Sequence, residues 1–328
     1  MPESSIRITL VRHGESVANR TQRWQGQGDS ALSTLGEAQA RAVAVRLQQR
    51  SFDRVVASDL ERADATARAM ARPYTSDAGF REFDIGAWEG LTRDEVLARY
   101  PQQLAELDAG ADIAIGGGES YRSFCARVDE SLARLRAQMS PGEHALVVCH
   151  GGVIGALVSG ALGLRGQREL PIARVLNTSI TELTYDPDGR AALRVFNDSL
   201  HLAELGLFPH PTEMNNALAL VCEGAPHPGF GSFAAHYDYE LGIGSLIASA
   251  AEGGNASFAE VLEGIRARHP ERRVALSASA ARIHAWTHET LWRGRASEGR
   301  LLEPQAGSLC HVSSSAGRVA LVDYGVSV

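Results

Sequence analysis

Three apolar runs in this chain each lead into residues that can bind or transfer a phosphoryl group. Arg12 and His13 follow the first run, Arg62 lies shortly after the second, and His150 follows the third. Paired arginines present planar forks that match phosphate oxygens. A neutral histidine is a good nucleophile, and a hydrogen bond to its other ring nitrogen would fix the tautomer. Taken singly, each residue also fits a structural role, such as a turn, a solvated helix or a core hydrogen bond.

Alternating strand and helix patterns predict the elements that must position these side chains. Strands are predicted over 6–11, 53–59 and 144–150, helices over 33–50, 60–71 and 120–139 and from Gly152, and a hairpin over 178–197 that turns at 186–189. Ser58 and Asp59 are good caps for the helix over 60–71. The alternation predicts an α/β fold, a three-layer sandwich with a mostly parallel sheet flanked by helices.

This fold would bring the polar residues together at one anion site. In open α/β sheets, ligands bind outside the carboxyl ends of the strands. Two histidines and two arginines would converge there, and two helix N-termini would point N–H groups at the same spot. Such a site suits a dianion, most obviously phosphate.

Composition and charge narrow the class of protein. The chain has 328 residues, of which 44% are hydrophobic and 22% charged, which is ordinary for a soluble globular protein of one or two domains. A net charge of −7 argues against nucleic acid or an anionic membrane as the main partner. Four widely spaced cysteines without a C-x-x-C motif favour a reduced, cytoplasmic setting, and "MPESSIRITL" has no signal-peptide pattern.

The stretch "ALVVCHGGVIGALVSGALGL", residues 145–164, is long enough for a membrane span. It also contains His150 and several glycines, and a Gly-Gly pair is typical of a turn between elements. A strand, a glycine turn and a buried helix explain it better, so no membrane partner is expected.

Four segments, in order, resemble the motifs of the histidine phosphatase superfamily, the phosphoglycerate-mutase-like proteins. They are "TLVRHGESVANRTQRWQGQGDSALSTLGEAQA", "VVASDLERADATA", "FREFDIGAWEG" and "VVCHGG", and the resemblance covers roughly residues 6–204. A single short motif is weak support, whereas four in register are strong support.

The resemblance implies a role for each matching residue. His13 would be the nucleophile that carries the phosphoryl group, and Glu82 would be the general acid. Glu89 would support the local fold. The phosphate oxygens would be bound, or the phosphate pocket lined, by Arg12, Asn19, Gln25, Arg62, His150 and Gly151.

No metal or other cofactor is expected, because the arginines and His150 would take the place of a cation. His210, His227 and His236 occur within one stretch but lack compact ligand spacing. No Walker A motif occurs, and "GGGES" at 116–120 has no strand ahead of it, so a loop before a helix is predicted there.

The length of the segment after "WEG" bears on the reaction. Cofactor-dependent mutases of this family usually carry a long insertion there, whereas residues 91–120 are few and include a helical pattern, "TRDEVLARY", that could cover the site. We therefore expect a phosphatase acting on a small phosphorylated metabolite, namely a sugar phosphate, a phosphoacid or a nucleotide. A phosphoglycerate-mutase-type phosphotransferase and a non-catalytic phosphate-binding regulatory protein remain the alternatives.

A proline-containing stretch at 207–214 predicts a domain boundary, giving a catalytic domain at 1–206 and a second domain at 207–328. Residues 270–308 echo 141–179 at a constant offset of 129, so that Pro270 falls on Pro141. In addition, "LALVCEG" at 218–224 resembles "ITLVRHG" at 8–14.

These echoes predict a degenerate second copy of the same fold, with strands at 217–222, 273–278 and 308–313. Cys222 would replace Arg12, Glu223 would replace His13 and Ser279 would replace His150. A carboxylate at the nucleophile position repels a phosphate dianion. The second domain is therefore predicted to be non-catalytic, serving packing, substrate covering or assembly of a homodimer.

Overall fold

The computed structural model describes residues 4–165, 172, 174–203, 217–222, 239–240, 273–278, 280–292, 309–315 and 318–326. The chain divides into two compact units, the first formed by 1–168 and 175–191 and the second by 169–174 and 192–328. Residues 192–206, placed by sequence in the catalytic domain, thus fall in the second unit.

The first unit alternates strands and helices along the chain. Its elements are β1 (Ile6–Arg12), α1 (Val17–Arg20), α2 (Thr34–Leu47), β2 (Arg54–Ala57), α3 (Glu61–Ala69), β3 (Thr75–Ser76), α4 (Arg93–Arg99), α5 (Pro101–Asp108), α6 (Tyr121–Ala137), β4 (His144–Cys149), α7 (Gly151–Ala161) and β5 (Ile180–Tyr185). Short 3-10 turns lie at 78–80, 86–88 and 115–117. The predicted hairpin turn is confirmed, since Gly189 N donates to Asp186 O at 2.9 Å.

The sheet of the first unit has the strand order β3-β2-β4-β1-β5. β1, β2, β3 and β4 run parallel, and β5 runs antiparallel to β1. The register pairs Arg12 with Cys149 and Ala57 with Val148, so the ends of β1, β2 and β4 lie at one edge. The predicted α/β fold with a mostly parallel sheet is confirmed.

Helices cover the sheet of the first unit on both faces. Because side chains alternate along a strand, Val11 and Val148 face one layer, and there they join a buried cluster with residues of α2 and α3, including Val43 and Ala67. On the other face α7 packs against β1 and β5, and α6 packs against α7. Burial of each large aliphatic side chain contributes about 1.5–3 kcal/mol, which fixes the strand ends that carry the polar residues.

The segment that follows the acidic motif has an apolar cluster of its own. The cluster contains Ile85, Trp88, Val96, Leu104 and Ile115, all buried. The predicted helix in "TRDEVLARY" forms as α4, and the side chains of Thr92 and Glu95 make a capping box at its start.

The apolar stretch 145–164 folds as predicted into β4, a turn at His150, and α7. No helix in the described part of the chain is long and apolar enough to cross a membrane.

The described part of the second unit consists mainly of strands. Its elements are β6 (Ala191–Asp198), α8 (Leu200–Ala203), β7 (Ala217–Cys222), β8 (Tyr239–Glu240), β9 (Arg273–Ala278), α9 (Ala280–Trp292), β10 (Leu309–Ser315) and β11 (Arg318–Val326). Two of the three strands predicted there have the predicted bounds, and the third begins one residue later. Glu223 and Ser279 lie outside the described residues.

The two units have the same strand order. The order β2-β4-β1-β5 in the first unit corresponds to β8-β9-β7-β10 in the second, with the same parallel and antiparallel relations. The registers also correspond at the offsets found in the sequence. Equivalent pairs include Ile8 with Ala145 against Leu218 with Val274, and Val11 with Ile180 against Val221 with Leu309.

Candidate active site

His13 lies directly after β1 and is only 3% exposed. Its main-chain N–H donates to Cys149 O at 2.9 Å, which extends the parallel ladder and ties His13 to the end of β4. Its Nδ1 lies 2.7 Å from Gly14 O. A carbonyl oxygen can only accept, so Nδ1 carries the proton and Nε2 has the lone pair.

Gly14 permits the tight packing around His13. A Cβ on Gly14 would lie 2.4 Å from Gly36 O, so a larger residue would separate the loop from the start of α2. The Gly14 N–H donates to Thr66 Oγ1 at 3.1 Å, which links the same loop to α3. The glycine of the "RHG" motif therefore serves close backbone packing.

Arg62 projects from α3 into the site and is 1% exposed. Its Nε donates to His13 Nε2 at 3.3 Å, and its other nitrogens donate to Gly26 O at 2.6 Å and Gly28 O at 3.0 Å. Burial lowers the pKa of the Arg62 guanidinium, while Glu82 and Glu89 oppose this shift. Carbonyl oxygens hold the buried cation without neutralising its charge, so the charge remains available to an anion.

His150 occupies the N-cap position of α7 and is fully buried. Its ring centroid lies 5.1 Å from that of His13. Nε2 of His150 lies 2.8 Å from Ser58 Oγ, and no described residue bonds its Nδ1. Burial first, and then the charge of Arg62, hold the pKa of His150 well below its ordinary value, so this ring is neutral at pH 7.

The expected helix caps at Ser58 and Asp59 are wrong. Leu60 holds the N-cap position of α3 and makes no side-chain cap bond. Ser58 instead bonds His150, and Asp59 pairs with Arg81 through two hydrogen bonds of 2.6 and 2.8 Å. The Leu60 N–H still donates to Ser58 Oγ at 3.4 Å, but neither Ser58 nor Asp59 occupies the N-cap position.

Arg12 and Asn19 lie together on the other side of His13. Arg12 is 6% exposed and donates to Val175 O at 2.7 Å and to Asn19 Oδ1 at 3.5 Å. Nδ2 of Asn177 bridges the group, donating to His13 O at 2.9 Å and to Asn19 Oδ1 at 3.3 Å. Asn177 was not predicted from sequence; its only signal is a polar residue just before β5, which borders β1.

Gln25 has one bonded and one unbonded end. Its Oε1 accepts from Ser16 Oγ at 2.6 Å. Its Nε2 is buried, and no hydrogen-bond partner for it exists among the described residues. A buried donor without a partner costs about 1–3 kcal/mol, so a ligand that accepts from it would recover that energy.

Glu82 reaches to the start of α7 from the loop that carries the "FREFDIGAWEG" motif, residues 80–90, which we call the acidic loop. Its Oε2 accepts from the Gly152 N–H at 3.0 Å and its Oε1 accepts from Phe83 N at 2.9 Å. Gly151 lies beside Arg12, since a Cβ there would stand 3.3 Å from Arg12 Nε. The structure therefore brings together at one edge the residues that the sequence predicted: Arg12, His13, Asn19, Gln25, Arg62, Glu82, His150 and Gly151.

Glu89 bonds the main chain of the loop that follows Gln25. Its two carboxylate oxygens accept from the Gly26 N–H at 3.2 and 3.0 Å, a bond that braces the loop whose carbonyls hold Arg62. The described residues contain no group of three His, Cys, Asp or Glu side chains placed to hold a metal ion. His210, His227 and His236 lie outside the described residues.

The sequence matches the histidine phosphatase superfamily (branch 1) over residues 8–198, and the chain belongs to this superfamily. A curated relative from Salmonella choleraesuis, "Probable phosphoglycerate mutase GpmB", is 36% identical over 185 residues, which are 55% of this chain and 85% of the relative.

Solved phosphatase structures also resemble part of the chain. The mycobacterial glucosyl-3-phosphoglycerate phosphatase in complex with VO3 is 34% identical, with a TM-score of 0.53, and the match covers 58% of this chain and 98% of that one. The alpha-ribazole phosphatase from Shigella flexneri is 28% identical, with a TM-score of 0.53, and the match covers 58% and 96%.

Gly152 provides a test of the Glu82 geometry. A Cβ at Gly152 would lie 2.1 Å from Glu82 Oε1, whereas a Cβ at Gly155, on the same helix, would contact nothing within 4 Å. We expect Gly152→Ala to displace the carboxylate and lower kcat toward phosphomonoesters by on the order of 10²-fold. Gly155→Ala should keep full activity and stabilise the helix by up to about 1 kcal/mol. Equal activity in both variants would show that the carboxylate position is unimportant.

Proposed function

We propose that this protein is a metal-independent phosphomonoesterase that hydrolyses a small phosphorylated metabolite through a phosphohistidine at His13. The observation that carries the proposal is the buried His13 ring, with Nδ1–H bonded to Gly14 O and Nε2 facing Arg62. This arrangement presents a neutral nucleophile beside a cation that can bind the group under attack.

The remaining buried groups suit the oxygens of a phosphoryl group. Arg12 and Arg62 supply positive charge, Gln25 Nε2 is a donor without a bonded acceptor, and neutral His150 adds a polar ring nitrogen. These groups can stabilise charge on the equatorial oxygens during in-line transfer. The mycobacterial relative has been solved in complex with VO3 and with inorganic phosphate.

The proposed reaction has two steps that use the same residues. His13 Nε2 attacks phosphorus while the bond to the leaving oxygen breaks, and that oxygen takes a proton from Glu82. The Glu82 carboxylate then takes a proton from water, whose oxygen attacks the phosphohistidine and releases inorganic phosphate. Histidine regains its lone pair, and Glu82 its proton, so the cycle closes without a cofactor.

Hydrolysis is favoured over phosphoryl transfer of the phosphoglycerate-mutase type. The solved relatives reported above are phosphatases, although the curated relative has a mutase name. The segment 91–120 is short and folds mainly into α4 and α5, without the long insertion expected of a cofactor-dependent mutase. We infer a sugar phosphate, a phosphoacid or a nucleotide as the substrate class.

The phosphohistidine can be trapped directly. Brief incubation with a ³²P-labelled phosphomonoester and a quench in base should leave an acid-labile label on His13, because an N–P bond survives base. His13→Ala should lose both the label and turnover, and EDTA should not affect the wild type. Full turnover in His13→Ala, or inhibition by EDTA, would disprove the proposal.

Glu82 can be tested through the leaving group. Glu82→Gln should slow alkyl phosphates by about 10²–10⁴-fold, because an alkoxide needs a proton to leave. It should slow the first-turnover release of p-nitrophenol from p-nitrophenyl phosphate far less, because the nitrophenolate leaves unaided. Glu89→Gln is the matched control, since that carboxylate bonds a loop N–H instead. Equal losses in the first turnover of both substrates would assign Glu82 a structural role.

We also propose that the second unit is a non-catalytic copy of the first. The proposal is supported by matching strand orders and registers and by the sequence, which has Cys222 and Glu223 where the first unit has Arg12 and His13. Only some thirty residues separate "CEG" at 222–224 from "GGNASF" at 253–258. Although β8 corresponds to β2 in the strand order, the sequence therefore predicts no counterpart of Arg62 or Glu82.

A copy without its own chemistry should tolerate loss of its polar strand-end residues. Glu223→Ala and Ser279→Ala should leave kcat toward phosphomonoesters within about twofold of the wild type, because on this proposal neither side chain takes part in phosphoryl transfer. Steady-state kinetics with a melting curve for each variant would measure this. A collapse of turnover in a folded variant would contradict the proposal.

A further inference from the structure

Arg127 lies on α6, and its cationic side chain bonds main-chain carbonyl oxygens of the acidic loop. Its guanidinium donates to Gly79 O at 2.9 Å, Arg81 O at 3.0 Å and Glu82 O at 3.1 Å. Its side chain is 24% exposed, so water screens these bonds only in part. One rigid, planar group therefore fixes three carbonyls within four residues, ending at Glu82 itself.

Glu119 holds the other side of the same loop. Its carboxylate accepts two hydrogen bonds from Arg127, each 2.7 Å long, and one from the Asp84 N–H at 2.9 Å. Its own N–H donates to Asp84 O at 2.8 Å. Burial alone would raise the pKa of Glu119, but the bonds from Arg127 and the Asp84 N–H lower it, so the ion pair persists at neutral pH.

The glycine cluster before α6 allows this contact. A Cβ on Gly118 would lie 2.3 Å from Asp84 O, and a Cβ on Gly116 would lie 2.2 Å from Ile85 O. Glycines at these positions let the two backbones pack directly against each other. The "GGGES" segment therefore positions Glu119 against the acidic loop and needs no ligand of its own.

We propose that Arg127 and Glu119 are positioning residues for Glu82. The pair bonds the main chain on both sides of Glu82, at Glu82 O and at Asp84 N, and thereby aims the carboxylate at the start of α7. This proposal rests on the proposed function, in which Glu82 protonates the leaving oxygen.

The test compares how variants depend on the leaving group. In Arg127→Met, we expect a fall on the order of 10²-fold in kcat toward glycerol 1-phosphate, because small misplacements of a catalytic group have effects of that size. The rate of the p-nitrophenol burst from p-nitrophenyl phosphate, which reports phosphohistidine formation, should fall less than tenfold. Arg127→Lys keeps the charge but loses the planar fork, so its kcat toward glycerol 1-phosphate should lie between those of the wild type and Arg127→Met.

A matched control exists on the same helix. Arg134 lies two turns after Arg127 and pairs with Asp77 and Glu130 at a half-exposed position. Arg134→Met removes the same charge without touching the main chain of Glu82, and should leave both activities within about twofold, as exposed ion pairs contribute little.

A double variant separates positioning from general destabilisation. Because Arg127 acts through Glu82, Arg127→Met should add little to the loss that Glu82→Gln alone causes on glycerol 1-phosphate. Additive losses, or equal losses on both substrates in a variant whose melting curve shows a folded protein, would overturn the positioning role. Failure of the wild type to form phosphohistidine would instead overturn the proposed function.

Glu119→Gln keeps the shape of the pair and removes its charge. As in Arg127→Met, activity toward glycerol 1-phosphate should fall more than the burst from p-nitrophenyl phosphate. Both losses should be smaller, because one partner of Arg127 is weakened while the main-chain bonds remain. A normal ratio of alkyl to aryl activity in both Glu119→Gln and Arg127→Met would refute the proposal even if one of them folds poorly.

Discussion

The parallel pairing of β1 with β4 is the constraint on which the site depends. Arg12 pairs with Cys149, and the next residue on each strand is a histidine. The main-chain bond from His13 to Cys149 O extends this register by one residue, and the two rings come within 5.1 Å of each other. A slip of one residue would turn alternate side chains to the other face of the sheet, separating the histidines from Arg62.

Burial of positive charge makes this edge of the sheet an anion site. Arg12 and Arg62 are almost fully buried and are held largely by carbonyl and amide oxygens. Removing such cations from water costs several kcal/mol each unless they are compensated. The same burial holds the pKa of His150 low, so the site relieves charge by keeping that ring neutral. In the reaction that we propose, a phosphate dianion bound here supplies further compensation for this charge.

The residues at the strand ends could be predicted from sequence because they depend on local patterns. Apolar runs of strand length placed Arg12, His13 and His150 at one edge, and the structure confirms their juxtaposition. The caps assigned to Ser58 and Asp59 were wrong because partners distant in the chain, His150 and Arg81, bind them instead. Local propensity cannot include such competition.

Asn177 and Arg127 could not be predicted as site residues from the sequence, for a related reason. Asn177 bonds the main chain of a residue 164 positions earlier, and Arg127 bonds carbonyls some 45 positions earlier. A side chain that recognises a backbone atom leaves no matching residue type at the other end, so no motif records the contact. The glycines at 116–118 were visible as a cluster, but only the approach of Gly116 to Ile85 and of Gly118 to Asp84 explains two of them.

The second unit shows that the strand register does not depend on the polar residues at the strand ends. It repeats the register of β1, β4 and β5 although the chain carries Cys222 where the first unit has Arg12. The apolar alternation of the strands is therefore enough to specify the frame. The arginines and histidines at the strand ends are not required to set the pairing of the strands. If His13 and Arg62 transfer a phosphoryl group as we propose, they do so from the ends of strands whose pairing is determined elsewhere, and such residues can be lost without loss of the register.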